Sequence, residues 1–484
     1  MRSISWQSQP AESKLVRAFA GSRPAALVNR HALKLLVIGA VFIRLVIFFA
    51  FPGVFRFEET GAIHGSDSYD AYAQNLLATG VYGRTAGVPD ALIPPLYSIA
   101  LAGVYGVFGR GSLQVALFHT ALDALCLVLL YHTARRLLPQ GRAIGLLAVI
   151  FYALYPYLIF QNLTLIDTPF FMALLFTWVY LLILLRERPS FDRQTLLLAL
   201  GAGLILGLGM LARPILPPLA IFAAVWFLFR LSLWQTIARL LPVALVSALV
   251  LGVWIVRNYG VYNAFVPMTT TSGANFWQGN SEYTIPYFRA GYDVQWTSPD
   301  NLQTADLQSR EADAERFALA LAFLRNNPDL IPELLWMKFL VHWSIDIAPR
   351  LNPVEGELPR LDYEGNVIVE TGPDGMILGG LPPGDPVAAY SGSLFDQIGR
   401  TVHRFYWGGL FLIGFLGIAV TLRQWRSVSL LWFIQISMTL IYVAFHPSTR
   451  YRVPTDPYWF IFSAAAVVWL WQRLPLPQIK QAEG

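Results

Sequence analysis

Ten stretches of this 484-residue chain run apolar for close to the width of a bilayer, and that repetition limits the fold before any motif is considered. About 20 predominantly apolar residues in a helix match a hydrocarbon core of roughly 30 Å. No water reaches backbone N–H and C=O groups there, so a chain that crosses repeatedly does so as helices that satisfy their own backbone. The residues are 55% hydrophobic and only 13% charged, with a mean hydropathy of +0.50, too apolar for a soluble chain of this length. The expected class is all-α integral membrane: a polytopic bundle of about ten transmembrane helices, with interfacial helices in the first outward loop and a small mixed extramembrane subdomain.

The apolar runs fall at about 32–51, 112–134, 142–160, 168–185, 195–211, 214–230, 238–256, 404–422, 428–446 and 456–472. The first is too long for a signal-peptide core and reads as an uncleaved span with its N-terminus inside. Alternating from there puts Arg135, Arg136, Arg142, Arg186, Arg188, Arg193, Arg230, Arg239, Arg423, Arg426, Arg473 and Lys480 on the cytoplasmic side, as the positive-inside rule requires. The net charge of +5 therefore sets topology and does not indicate a nucleic-acid partner. The expected organisation is a cytoplasmic tail at 1–31, a transmembrane module at 32–257 containing the outward loop 53–111, an outward subdomain at 258–403, closing helices at 404–473 and a cytoplasmic tail at 474–484. The 258–403 insertion holds 18 Asp and Glu against 8 Lys and Arg, a balance of −10. The single Cys126 lies in an apolar run and excludes an intramolecular disulfide framework.

On this topology the notable polar groups reach one face of the membrane. Asp67 and Asp70 stand in the first outward loop, Asp167 before the fourth span, Arg213 after the fifth, Arg257 and Asn258 after the seventh, and Arg450, Tyr451 and Arg452 between the last two. Arginine's planar fork suits phosphate oxygens while its stem lies along apolar surface. Each also has a plain structural explanation: arginines anchor span ends, Asp167 precedes Thr168-Pro169 and can cap a helix, and Ser66 can cap a helix carrying Asp67 and Asp70 in its first turn. His119 and Asp123, one turn apart inside a span, are expected to pair with each other. Asn162-Leu163-Thr164 matches a glycosylation acceptor pattern but lies too close to the bilayer for that use.

Several short motifs carry a resemblance. Asp67 with Tyr69, Ala73, Asn75-Leu76-Leu77 and Gly80-Val81-Tyr82, then Pro94-Pro95-Leu96-Tyr97, Pro156 through Asp167, Leu211-Ala212-Arg213-Pro214, Trp254 through Tyr259 and Arg450-Tyr451-Arg452-Val453-Pro454 resemble the GT-C class of polytopic glycosyltransferases. The nearer relatives are the protein O-mannosyltransferase and lipid A aminoarabinose transferase group, over about residues 32–472. The resemblance implies an inverting transferase of the plasma (inner) membrane, acting on its outer face. It would move a hexose or pentose from a polyprenyl-phosphate donor to a protein, lipid or polysaccharide acceptor. Asp67, Asp70 and Asp167 become the catalytic candidates, Arg213, Arg257, Asn258, Arg450, Tyr451 and Arg452 the donor-binding ones, and Tyr69 and Tyr97 the acceptor-positioning ones. A divalent metal, if used, would fall to Asp67 and Asp167. Ser68 stands where many relatives carry a second acid, which leaves the division of labour between Asp67 and Asp70 open. The other readings of the same features are a glycan ligase or polymerase with a lipid-pyrophosphate donor, and a lipid-linked sugar transporter.

Overall fold

The computed structural model describes residues 23–473 apart from 62, 64, 300, 301, 305, 307, 351–360, 367–369, 372–376 and 379–393. Both expected cytoplasmic tails lie largely outside the described residues, as does His64 of the first outward loop. The principal helices are α1 (Arg23–Ala50), α2 (Asp67–Thr79), α3 (Pro95–Phe108), α4 (Ser112–Leu137), α5 (Gly141–Ala153), α6 (Pro156–Leu163), α7 (Thr168–Glu187), α8 (Arg193–Ala212), α9 (Pro217–Leu228), α10 (Leu233–Tyr262), α11 (Ser272–Gln278), α12 (Arg310–Asn326), α13 (Ile331–His342), α14 (Leu394–Thr421), α15 (Trp425–Ala444) and α16 (Asp456–Trp471). A two-residue pairing of Glu370–Thr371 with Ile377–Leu378 is the named sheet among the described residues.

Six helical stretches are long and apolar enough to cross a membrane, or seven when α5 and α6 count as one span bent by 59°. The bend falls at Tyr155-Pro156, where proline cannot donate to the helix ladder and restricts the residue before it. Among the described residues, length and composition do not confirm the expected count of ten. The stretches expected at 214–230 and 456–472 form helices of 12 and 16 residues, below the roughly 17–25 that a span needs. The stretch Gln397–Ala444 counts once although it contains α14 and α15.

Small residues let the helices approach closely. On α8, Gly203 and Gly207 face α10, where an added Cβ would lie 2.6 Å from the Val243 carbonyl oxygen and 2.7 Å from Val250 Cβ respectively. This is the close backbone approach that small-residue repeats allow in bilayers. Gly417 of α14 meets the Phe462 backbone of α16 in the same way. Gly207→Leu is expected to push α8 from α10 and destabilise the bundle by about 1–3 kcal/mol. A thermal melt in detergent checks it, with Gly201→Leu as control, since Gly201 has open space around its Cβ position.

The expected His119–Asp123 pair does not form. The His119 ring meets Tyr97 Oη at 2.8 Å and the Asn162 carbonyl at 3.1 Å, while Asp123 pairs with Arg44 of α1 at 2.7 Å and accepts a hydrogen bond from Tyr152 Oη. Inside a span a carboxylate is stabilised more by a guanidinium than by a neutral ring, and α1 supplies one that sequence spacing does not disclose. Asn162 is buried and donates to the His119 carbonyl, consistent with its not being a glycosylation acceptor.

Candidate active site

The loop carrying Asp67 is fastened to the segment carrying Asp167. Gly65 and Leu165 form a parallel bridge, and Ser66 N donates to Leu165 O at 3.0 Å. Gly65 has φ +122°, and a Cβ there would lie 2.2 Å from Leu165 O, so glycine satisfies both the conformation and the approach. This staple sets the N-terminus of α2 beside the N-terminus of α7. Ser66 occupies the N-cap of α2 but makes no side-chain capping bond, so the expected serine cap is absent.

Asp67 and Asp70 differ sharply in environment. Asp67 is exposed at the first position of α2, and its carboxylate has no hydrogen-bond or ion-pair partner among the described residues. Asp70 is buried and saturated. It accepts from Arg110 Nε and Nη2 (3.0 and 2.9 Å), Tyr105 Oη (2.8 Å) and Gln74 Nε2 (2.7 Å). An acid so fully bonded fixes α2 against α3 and the turn before α4.

Asp167, Arg213 and Arg450 come together. Arg213 grips Asp167 in a two-pronged bond, Nε–Oδ2 2.5 Å and Nη2–Oδ1 2.7 Å, and Nη2 also donates to Thr168 Oγ1 at 2.9 Å. Arg450 Nη2 reaches Asp167 Oδ1 at 3.5 Å. Burial alone would raise the Asp167 carboxyl, but the adjoining Arg213, followed by Arg450, holds it below the ordinary carboxylate value. Two cations share one anion, and the buried Arg213 Nη1 and Arg450 Nε have no hydrogen-bond partner among the described residues. One positive charge and at least two N–H directions thus remain for an anion from outside the chain.

Aromatic rings line the surroundings. Tyr451 stacks on Tyr442 at 4.9 Å and 7°. Tyr69 is buried on α2, packs edge-on to Tyr97, and lies within electrostatic reach of Asp167, Arg450 and Arg213. Burial first and Asp167 second push its hydroxyl pKa well up, so it stays a neutral donor.

The remaining candidates serve other contacts. Arg257 donates to the carbonyls of Asp90 (2.6 Å) and Tyr82 (2.7 Å) and Asn258 to that of Val266 (3.0 Å), tying the loop between α2 and α3 to the segment after α10. Arg452 is fully buried, pairs with Asp456 at 3.0 Å and donates to the carbonyls of His342 and Ser344. Tyr97 is fully buried against His119. Sequence reasoning overlooked Arg110 and Tyr442. Arg110 flanks an apolar run as several other charges do, and Tyr442 sits unmarked in an apolar run. For a divalent metal the donor set does not fit: Arg213 takes both Asp167 oxygens, and no cluster of three His, Cys, Asp or Glu occurs among the described residues.

Residues 93–257 match the family model described as dolichyl-phosphate-mannose-protein mannosyltransferase. No curated protein sequence matches the chain. Among solved structures, the oligosaccharyltransferase AglB from Archaeoglobus fulgidus, in complex with an inhibitory peptide and a dolichol-phosphate, aligns with TM-score 0.52 at 14% identity, over 92% of this chain and 51% of that one. The Archaeoglobus fulgidus oligosaccharyltransferase tethered with an acceptor peptide gives TM-score 0.52 at 13% identity, over 92% and 50%. ArnT from Cupriavidus metallidurans bound to undecaprenyl phosphate aligns at TM-score 0.39 and 12% identity, over 92% and 78%, too distant to carry weight. The chain spans about half the length of the oligosaccharyltransferase it matches. The expected polytopic helical fold is shown: a nearly all-helical multi-pass membrane protein with the fold of those oligosaccharyltransferase structures.

Proposed function

We propose that this GT-C-fold membrane protein is an inverting glycosyltransferase that moves a sugar from a polyprenyl-phosphate donor to a hydroxyl-bearing acceptor on the outer face of the membrane. The supporting observation is the unmatched charge at Arg213 and Arg450, set beside an unpartnered Asp67 by the Gly65–Leu165 bridge. Displacement at the anomeric carbon builds negative charge on the departing phosphate oxygen. Fixed guanidinium donors in a partly dry site stabilise that charge without reorganising. Asp67 takes the proton of the attacking hydroxyl from the opposite side of the sugar, which inverts the anomeric centre. Asp167 holds Arg213 in line, Asp70 and Arg110 hold α2, and Arg257 and Asn258 brace the loop floor. Arg450 with Tyr451 receives the phosphate, and Tyr69 orients it as a neutral donor. Arg452 supports the Arg450 turn from below through Asp456.

One surplus positive charge suits a monophosphate diester, which carries one negative charge before transfer. A pyrophosphate donor brings more charge than the two arginines leave free, which favours the transferase over the ligase alternative. Phosphorus NMR and mass spectrometry of lipid co-purified with the protein test the donor class. A polyprenyl monophosphate supports it, and a pyrophosphate alone overturns it. Gly65→Ala is expected to lower transfer by about 10²-fold while helix content stays unchanged, because small misplacements of reacting groups cost this much. Steady-state kinetics beside circular dichroism checks it.

A further inference from the structure

Asp293 is one of many acids in the 258–403 insertion, but its position is unlike that of its neighbours. It precedes the single turn Val294–Trp296, and its carboxylate accepts from Gln295 N at 3.1 Å and is further held by the Val294 amide. Two backbone links bring its segment to the arginine turn. Arg350 N donates to Gly291 O at 2.8 Å, and Thr449 N donates to Ala348 O at 2.7 Å, answered by Ala348 N to Thr449 Oγ1 at 2.9 Å. These links bring the Asp293 segment to the turn that carries Arg450 and put its carboxyl within electrostatic reach of Arg450, Tyr451 and Tyr157. Asp346, the other acid on the linking segment, is taken up by Arg350 and Arg404. Among the described residues, Arg450 is the charged side chain that pulls the Asp293 carboxyl down.

We propose that Asp293 is the acid on the leaving-group side, giving its proton to the phosphate oxygen as the bond to the sugar breaks. The proposal rests on the donor reading above. In the step the anomeric C–O(phosphate) bond breaks and its electron pair stays on the phosphate oxygen, which takes the Asp293 proton. The acceptor oxygen bonds the anomeric carbon and its proton goes to Asp67. The products are the glycosylated acceptor and a polyprenyl hydrogen phosphate, and solvent exchange returns Asp67 and Asp293 to their starting forms. Burial pushes the Asp293 carboxyl up to about 6 against the opposing pull of the Gln295 amide and Arg450. That is close to the second ionisation of a phosphate monoester, near 6, so proton transfer between them is nearly balanced. An arriving phosphate anion raises the carboxyl further.

The plain alternative is that Asp293 only caps its turn. Asn caps as well as Asp, so Asp293→Asn separates the two roles, with an unchanged melting midpoint as control. The wild type should lose transfer rate tenfold per pH unit above the apparent pKa of the acid. Asp293→Asn should be slower by about 10²–10³-fold at pH 5.5 and lack that alkaline limb, and Asp293→Glu should restore part of both. An unchanged rate and profile in Asp293→Asn, with the wild type active, overturns the proposal. If the wild type transfers from no polyprenyl-phosphate sugar, the donor reading fails, and binding of undecaprenyl phosphate still decides the role of Asp293. The ratio of wild-type to Asp293→Asn affinity should fall roughly tenfold between pH 5 and pH 8. A constant ratio overturns the proposal.

Discussion

Asp67→Asn is expected to slow sugar transfer by about 10²–10⁴-fold, the usual contribution of a positioned general base. The substitution removes proton affinity and little else. Asp67 is exposed and its carboxylate makes no hydrogen bond or ion pair with a described residue, so stability should change by less than about 0.5 kcal/mol. Donor affinity should be preserved, because the phosphate is assigned to Arg213 and Arg450 on another segment. Asp70→Asn is the informative contrast. It removes the carboxylate partner of Arg110 and a strong acceptor of Tyr105, so its loss of activity should come with a lower melting midpoint. Measuring kcat, donor Kd and melting temperature for both variants separates base from support. Full turnover by Asp67→Asn removes the catalytic role.

Arg213→Gln is expected to be the most destabilising single change in the site. It leaves Asp167 buried with only the longer contact to Arg450, and breaking a buried ion pair by removing one partner costs about 3–5 kcal/mol. The deficit depends on pH in a defined direction. The folded protein holds the Asp167 carboxyl below its ordinary value, so the stabilisation is present in full above about pH 4 and fades as pH falls through the lower folded value. The gap between wild type and Arg213→Gln should therefore narrow in acid. The double variant Asp167→Leu with Arg213→Met should recover much of the stability, since apolar replacements of a buried pair are often tolerated, yet should not bind polyprenyl phosphate. Recovery of both stability and binding would show that Arg213 is structural and nothing more.

Much of this was legible from apolar length and charge sidedness. The runs at 112–134, 168–185, 195–211 and 238–256 became α4, α7, α8 and α10 because each is long, apolar and bounded by charge or proline. The meeting of Asp167, Arg213 and Arg450 follows from their places at span ends, which a membrane forces to one level. What stayed hidden are contacts without a local pattern. Arg257 bonds carbonyls 167 and 175 residues away, and Asp123 finds Arg44 on another helix. Such partners depend on helix packing, which no periodicity in one sequence encodes. Asp293 was equally unmarked, since only the Gly291–Arg350 and Ala348–Thr449 links distinguish it from the other acids of its segment. Ser68, in place of a second acid, left Asp67 and Asp70 equivalent on paper, and the bonds around Asp70 distinguish them.

The central claim, transfer of a sugar from a polyprenyl-phosphate carrier, is tested most directly by one measurement. Purified protein is incubated with a polyprenyl-phosphate sugar labelled at the anomeric carbon together with candidate hydroxyl acceptors, and the lipid and sugar products are followed by mass spectrometry and carbon NMR. The account predicts release of a polyprenyl monophosphate and appearance of the label on an acceptor with inverted anomeric configuration. Recovery of the labelled lipid intact, or its passage across a liposome membrane without covalent change, would contradict it.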